Sequence, residues 1–175
     1  MPSRDAMCPS PYDFLPPVPA LTVTSDDLAE GGRMPLDHVY GGAGGENISP
    51  QLSWTAGPEG TASYAVTCFD PDAPSVSGYW HWILVGIGAD VTSLARGAAA
   101  DLPAGAVHLR NDFGDQTYDG AAPPPGHGLH RYIFAVSALD TADLGLDPMT
   151  PGGTIGFMIT AHTIARGYLT VTWDR

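Results

Sequence analysis

Short apolar runs, separated by glycine and proline, dominate the hydrophobic pattern of this chain. Two of the runs, residues 80–87 and 131–139, are apolar on both faces, as strands covered from both sides of a sheet are. A third run, residues 63–69, is rich in β-branched and aromatic residues and is bounded by turn signals, which also predicts a strand. Shorter runs predict further strands over residues 21–24, 52–55, 107–110 and 168–173. The pattern therefore predicts a mainly antiparallel β domain.

One segment near the end of the chain has helical spacing instead. Thr150 and Pro151 offer an N-cap and a proline at the first helical position. Five positions then recur near the helical period: Ile155, Met158, Ile159, His162 and Ala165. Gly167 can end the helix. We expect one peripheral helix in this segment, followed by the closing strand.

The chain is expected to form one domain with an N-terminal arm. Its 175 residues are enough for a sizeable core, and neither a linker nor an internal repeat divides them. Residues 1–19 are rich in proline, which has no backbone N–H to donate to a β-sheet and favours an extended arm. Residues 20–175 then make up the single domain. The 22 glycines and 17 prolines follow no fixed period, which favours a loop-rich β protein.

The charge balance narrows the choice of partners. Charged residues make up 15% of the chain, against roughly 25% in typical soluble domains. The formal net charge is −12, and such a field repels nucleic-acid phosphates and anionic membrane surfaces. We therefore expect no nucleic-acid partner. Any anionic ligand must be held by local hydrogen-bond donors.

Several common signals are missing from the sequence. No apolar run reaches the ~20 residues of a transmembrane helix, and the N-terminus has no apolar core of the length that a signal peptide needs. Cys8 and Cys68 define neither a disulfide framework nor a metal cluster. The glycine-rich residues 41–45 lack the lysine and Ser/Thr of a P-loop, and no serine-hydrolase elbow occurs. We expect a cytoplasmic protein without integral membrane association, metal or cofactor.

The segment Asp70-Pro71-Asp72-Ala73-Pro74 directly follows a predicted buried strand. Its prolines stiffen the loop, and taken alone it is most simply a rigid turn whose aspartates accept backbone N–H groups. If the flanking strands pair as a hairpin, Asp70 lies nearly opposite His81. A carboxylate beside an imidazole can orient the ring and raise its proton affinity. A histidine in an apolar setting such as that of His81 is more often a core residue whose ring is hydrogen-bonded within the protein than a ligand-binding residue. Both interpretations of His81 stay open.

Residues 120–132 combine a stiff loop with three polar side chains at a strand entry. The sequence is GAAPPPGHGLHRY, and its exposed backbone N–H groups suit an oxyanion. In a regular strand His130 and Tyr132 share one face, and Arg131 points to the other. A long loop with incidental polar residues is the simpler alternative. His127 and His130 could also join His81 around a metal, but the spacing gives this little support.

Four motifs occur in a fixed order along the chain. They are Asn47-x-Ser49-Pro50-x-Leu52-x-Trp54, Asp70-Pro71-Asp72-Ala73-Pro74, His81-Trp82 and Gly126-x-Gly128-Leu129-His130-Arg131-Tyr132. Together they resemble the signature of the phosphatidylethanolamine-binding protein family. The stretch Asn111-Asp112-Phe113-Gly114 is similar to its bacterial Raf-kinase-inhibitor-like branch. The resemblance runs from about residue 21 to the C-terminus.

The resemblance implies two antiparallel β-sheets with a few peripheral helices, and a small cavity for phosphate-type anions or phospholipid head groups. Carried over residue by residue, the cavity walls would be Asp70, Trp80, His81, Gly120, Pro123, Pro124, His130 and Tyr132. His81 and Tyr132 would donate to the anion, helped by backbone N–H groups near residues 120–124. Asp70 would orient His81 or meet a ligand's ammonium group. Trp80 and Pro124 would shape the apolar walls.

Two departures from the family pattern bear on the site. Ala122 stands where a glycine often precedes the two prolines, which could narrow the approach of the backbone to the ligand. The C-terminal helix that gates the cavity in animal members has no clear counterpart after the last predicted strand. We therefore expect a more open site, and animal-type kinase inhibition is in doubt.

Three functions are compatible with these residues. The leading hypothesis is a non-catalytic, regulatory module that binds a small phosphorylated or zwitterionic molecule. The alternatives are an inhibitor of a kinase or protease that acts through the rim of the cavity, and an enzyme that uses Asp70 and His81 as an acid/base pair. The arm and an apolar sheet edge could also support a homodimer.

Overall fold

The structure is a computed structural model, and it describes residues 9–175. The first eight residues of the predicted arm, including Cys8, lie outside the described residues. Within residues 9–175 the regular structure consists of eight strands and one α-helix, α1 (Gly152–His162). The strands are β1 (Val23–Thr24), β2 (Leu52–Trp54), β3 (Ser63–Asp70), β4 (Tyr79–Gly88), β5 (Ser93–Leu94), β6 (Val107–His108), β7 (His130–Leu139) and β8 (Thr163–Trp173). Short 3₁₀ helices lie at Pro11–Phe14, Leu36–His38, Gly41–Ala43 and Ala98–Ala100.

The strands form two antiparallel sheets. The large sheet has the order β6-β4-β3-β7-β8, and the small one has the order β1-β2-β5. β3 and β7 occupy the middle of the large sheet, and every residue of both strands is buried. This is the reason for their apolar character on both faces. The predicted fold class, mainly β with two antiparallel sheets and few helices, is confirmed.

Two hydrophobic clusters cover the two faces of the large sheet. The first packs residues of the small sheet, such as Leu52 and Trp54, against Val66, Trp82 and other residues of the large sheet. The second lies on the opposite face, where α1 contributes Ile155 and Ile159. The large sheet is therefore the middle layer of the domain.

β4 is not a regular strand, because it carries two more residues than the segment of β3 that it pairs with. Cys68 pairs with Trp82 and Phe69 pairs with Trp80, so His81 has no partner in the ladder. A second irregularity lies between Tyr64 and Val66 of β3. A β-bulge of this kind bends the strand and turns the extra side chain to a new direction. The bulge at His81 lies at the end of the sheet where the candidate site is found.

The predicted helix was right in its first part and wrong in its second. The helix ends at His162, and β8 begins at Thr163, well before Gly167. Residues 163–173 pair with β7 along its whole length. Hydrogen bonding and burial against β7 stabilise β8 more than the helical spacing of these residues stabilises a longer helix, because that spacing is only a local signal.

The described part of the arm contains a turn where an extended chain was predicted. Ser10 accepts a hydrogen bond from the Tyr12 backbone N–H and caps the 3₁₀ helix Pro11–Phe14. The arm then returns to β8, where Ala20 forms a bridge with Arg166. No helix among residues 9–175 is both long and apolar enough to cross a membrane.

Candidate ligand-binding site

A cavity of about 270 Å³ opens where β3 ends and β4 begins. The loop between these strands forms one wall, and the segments before β7 form the other. The lining residues are Asp70, Ala73, Pro74, Ser75, Tyr79, His81, Phe113, Ala122 and Pro124. Three of the predicted site residues, Asp70, His81 and Pro124, are among them. The others have different positions, described below.

His81 is held in one orientation by two backbone carbonyl groups. Its Nδ1 lies 2.9 Å from the carbonyl oxygen of Asp119 and 3.0 Å from that of Gly120. Because a carbonyl oxygen only accepts, Nδ1 carries the hydrogen, and Nε2 of the neutral ring is a bare acceptor. Burial is the largest effect on the ring and lowers the pKa of His81, although the nearby Asp70 carboxylate acts in the opposite direction.

A polar framework that sequence reasoning did not assign to the site holds these carbonyl groups in place. Asn111 Nδ2 donates to the Asp119 carboxylate at 2.7 Å, and Asn47 Nδ2 donates to it at 3.2 Å. Asn47 Oδ1 also accepts the Gly120 N–H at 2.8 Å. Asn47 has a φ of 58°, a left-handed conformation that asparagine tolerates better than most residues. The two motifs that contain Asn47 and Asn111 were the available signal.

Gly120 contributes to the site through its backbone and not as an anion donor. Its N–H is engaged by Asn47, and its carbonyl oxygen receives the hydrogen bond from His81. A Cβ atom at this position would lie 2.1 Å from the carbonyl oxygen of His38. Only glycine fits here, because the chain passes so close to residues 38–40. Pro123 is buried and does not line the cavity.

Asp70 is paired with His130, whereas the sequence predicted that it would orient His81 or meet an ammonium group of the ligand. His130 Nδ1 lies 2.7 Å from Asp70 Oδ2, and His130 Nε2 lies 2.7 Å from His127 Nδ1. Both members of the Asp70–His130 pair are almost fully buried. The predicted contact with His81 is not formed, because the carboxylate pairs across β3 and β7, and the register of these two strands cannot be read from a hairpin of β3 and β4. Among residues 9–175 no three acidic, histidine or cysteine side chains are grouped to hold a metal ion.

The second aspartate of the loop is paired with the next residue of β7. Arg131 Nε and Nη2 donate to the two carboxylate oxygens of Asp72 at 2.7 and 2.8 Å, and the Arg131 backbone N–H adds a third hydrogen bond at 3.0 Å. Burial opposes ionisation of Asp72, but the hydrogen bonds and charge of Arg131 outweigh it, so the pKa is lowered. Asp70 and Asp72 together fasten the loop to the start of β7.

Tyr132 is buried and is not among the residues that line the cavity. Its hydroxyl is buried and has no hydrogen-bond partner in the described structure with good geometry. The backbone of Ala122, which lines the cavity, is the polar group that faces it. Burial, the largest effect, raises the pKa of Tyr132, so the hydroxyl stays protonated.

Trp80 does not form a wall of the cavity, contrary to the prediction. It lies on the opposite face of β4, against Phe69 and the start of α1, where a Cβ on Gly152 would lie 2.6 Å from its ring. Regular alternation over residues 79–81 accounts for this position, because successive residues of a strand point to opposite faces and both Tyr79 and His81 line the cavity. The aromatic walls are instead Tyr79 and Phe113, whose rings lie 5.1 Å apart.

Comparisons with known proteins agree with this architecture. The family model described as phosphatidylethanolamine-binding protein matches residues 24–174. The UPF0098 protein YbhB of Escherichia coli K12 is 44% identical over 159 residues, which cover 88% of this chain and 100% of YbhB. The crystal structure of E. coli YbcL, described as a new member of the mammalian PEBP family, is 43% identical with a TM-score of 0.85. That match covers 89% of this chain and 98% of the YbcL chain.

A more distant relative belongs to another group of bacteria. The putative lipoprotein LppC of Mycobacterium tuberculosis H37Rv is 39% identical over 144 residues, which cover 80% of this chain and 67% of LppC. The family match spans both sheets and all the segments that build the cavity. The chain therefore belongs to the phosphatidylethanolamine-binding protein family.

Proposed function

We propose that this protein is a binding module that captures a small phosphate-type anion or a phospholipid head group in the cavity at His81. The observation that carries the proposal is the fixed orientation of this imidazole. Because two carbonyl groups occupy Nδ1, Nε2 is the ring nitrogen left for a ligand, and His81 is one of the residues that line the cavity. A regulatory role would follow from occupancy of the cavity.

The size and walls of the cavity favour a compact ligand. Its volume of about 270 Å³ is just below the range of about 300–1,000 Å³ typical of small-molecule pockets. Tyr79, Phe113 and the prolines at 74 and 124 supply apolar walls around few polar groups. Asp70 lies at the same cavity and can accept from an ammonium group. A zwitterionic head group such as phosphoethanolamine matches this combination.

The alternative functions receive less support. Asp70 is hydrogen-bonded to His130 and not to His81, so the acid/base pair on which the enzyme hypothesis depended is not formed. Inhibition of a kinase or protease, homodimerisation and a cytoplasmic location stay predictions.

Titration of the protein with phosphoethanolamine tests the proposal, with binding measured by calorimetry and its location by amide NMR. We expect saturable binding with shifts at residues 70–81 and 119–124. His81→Ala removes a hydrogen bond to a charged group, typically about 1.5–3 kcal/mol, and should weaken binding by roughly tenfold to a hundredfold. His162→Ala is the matched control, because His162 lies at the end of α1 and contacts Asp140. Unchanged affinity in His81→Ala, or shifts elsewhere in the protein, would contradict the proposal.

A further inference from the structure

The cavity contains no permanent positive charge among the described residues that line it. The chain has seven basic residues, all of them arginine. The nearest one along β7, Arg131, is engaged by both carboxylate oxygens of Asp72. The charged group at the cavity wall is instead the Asp70 carboxylate, only 2% exposed. An entering anion therefore meets no cation to balance its charge.

The free His81 ring also opposes an anion. Nδ1 already donates to the carbonyl groups of Asp119 and Gly120. In the neutral ring the nitrogen left for a ligand, Nε2, presents a lone pair, which repels an anionic oxygen. Burial lowers the pKa of His81, so the ring is neutral in the free protein above about pH 6.5.

We propose that the cavity binds an anion together with one proton, which His81 takes up at Nε2. This inference rests on the proposed function and specifies how the same site recognises its ligand. In the step, one proton leaves solvent and forms the Nε2–H bond, which then donates to the anionic oxygen. A monoanion and a proton enter together, so the net charge of the complex equals that of the free protein. No bond to carbon or phosphorus is made or broken.

The titratable groups around His81 favour this uptake. Asp70 at the end of β3 and Asp119 before Gly120 both raise the proton affinity of the ring through their charges. Tyr79 of β4 and Tyr132 of β7 stack edge-on or tilted against it. Both phenols have a pKa raised by burial, so they stay neutral. Once an anion lies at Nε2, the imidazolium has negative groups on several sides, and the cost of its burial is offset.

Dimethyl phosphate is the appropriate probe, because it stays a monoanion between pH 6 and pH 8 and carries no group that titrates there. Calorimetry at pH 7.5 in two buffers with different ionisation enthalpies counts the protons taken up on binding. We expect about one proton per bound anion, and a dissociation constant that rises about tenfold per pH unit above pH 7. Binding without proton uptake would overturn the inference. Absence of any binding at pH 6 would instead overturn the proposed function.

Two variants locate the proton. His81→Gln offers an amide N–H that needs no protonation, so proton uptake should vanish and the affinity should no longer depend on pH. His162→Gln is a distant control and should keep the uptake of about one proton. Loss of uptake in a folded His162→Gln, or its persistence in a folded His81→Gln, would assign the proton to another group and overturn the proposal. Circular dichroism checks that each variant is folded.

Discussion

Removal of the Asp72 carboxylate is a direct test of how the loop at the cavity is held. In Asp72→Ala the Arg131 guanidinium loses two hydrogen bonds, and the Arg131 backbone N–H loses a third. The side chains of Arg131 and Asp72 are only 10% and 12% exposed, so solvent replaces these partners poorly. Breaking a buried ion pair costs about 3–5 kcal/mol, and we expect about 3 kcal/mol here because some solvent reaches the pair.

Urea unfolding followed by tryptophan fluorescence measures this loss at pH 7. With an m-value of about 2.5 kcal/mol/M, the midpoint should fall by about 1.2 M. The matched control is Asp174→Ala, which breaks the ion pair with Arg33, whose partners are 55% and 48% exposed. Exposed pairs contribute at most about 1 kcal/mol, so the control should lower the midpoint by less than about 0.4 M.

A double-mutant cycle separates the pair from other effects. Adding Arg131→Met to Asp72→Ala removes the poorly solvated charge, so the double variant should be less destabilised than the sum of the single variants. We expect a coupling of at least about 2 kcal/mol. Additive single-variant effects, or an Asp72→Ala variant within about 0.5 kcal/mol of the wild type, would refute this account of the loop.

Three further outcomes follow from the site. Gly120→Ala should weaken phosphoethanolamine binding at least tenfold and lower the melting temperature. The added Cβ would lie 2.1 Å from a backbone oxygen and displace the carbonyl group that orients His81. Calorimetry measures the affinity and thermal unfolding the melting temperature, and unchanged values would contradict this role of Gly120. Asn47→Gly should lose less stability than Asn47→Ala in urea unfolding, since glycine adopts a φ of 58° without strain and alanine does not. Equal losses of stability in the two variants would mean that only the hydrogen bonds of Asn47, and not its backbone conformation, contribute to stability. Burial lowers the pKa of His81 and of His108, so at acidic pH the unfolded chain binds more protons than the folded protein does. The urea midpoint should therefore fall between pH 7.5 and pH 5.5, and His108→Gln should reduce this fall. A midpoint that is independent of pH would refute the last expectation.

The middle strands were predictable because burial on both faces leaves a simple apolar run. Residues 131–139 were predicted as a strand, and β7 covers His130–Leu139. The border between α1 and β8 was not predictable in the same way. Ala165 fits a helical period as well as a buried strand position, and only pairing with Ala138 of β7 decides between them.

The candidate site was predicted in part. Asp70 and His81 do lie at one cavity, as the order of the motifs implied. Their hydrogen-bond partners could not be derived, because each comes from a segment distant in sequence: His130 is 60 positions from Asp70, and Asp119 is 38 positions from His81. Trp80 was misplaced because it was assigned to the cavity from the family resemblance alone, whereas strand alternation already puts it on the face opposite His81.

The unpaired residue in β4 makes the site separable from the fold. Since His81 is the one residue between Trp80 and Trp82 that the ladder skips, deleting it would let the two strands pair continuously at this point. Such a deletion would leave the register of the remaining sheet intact and remove the imidazole from the cavity. A chain could thus lose the proposed binding site in a single genetic event and keep its architecture. Within the family, the presence or absence of this extra residue would mark which members carry an imidazole at this position.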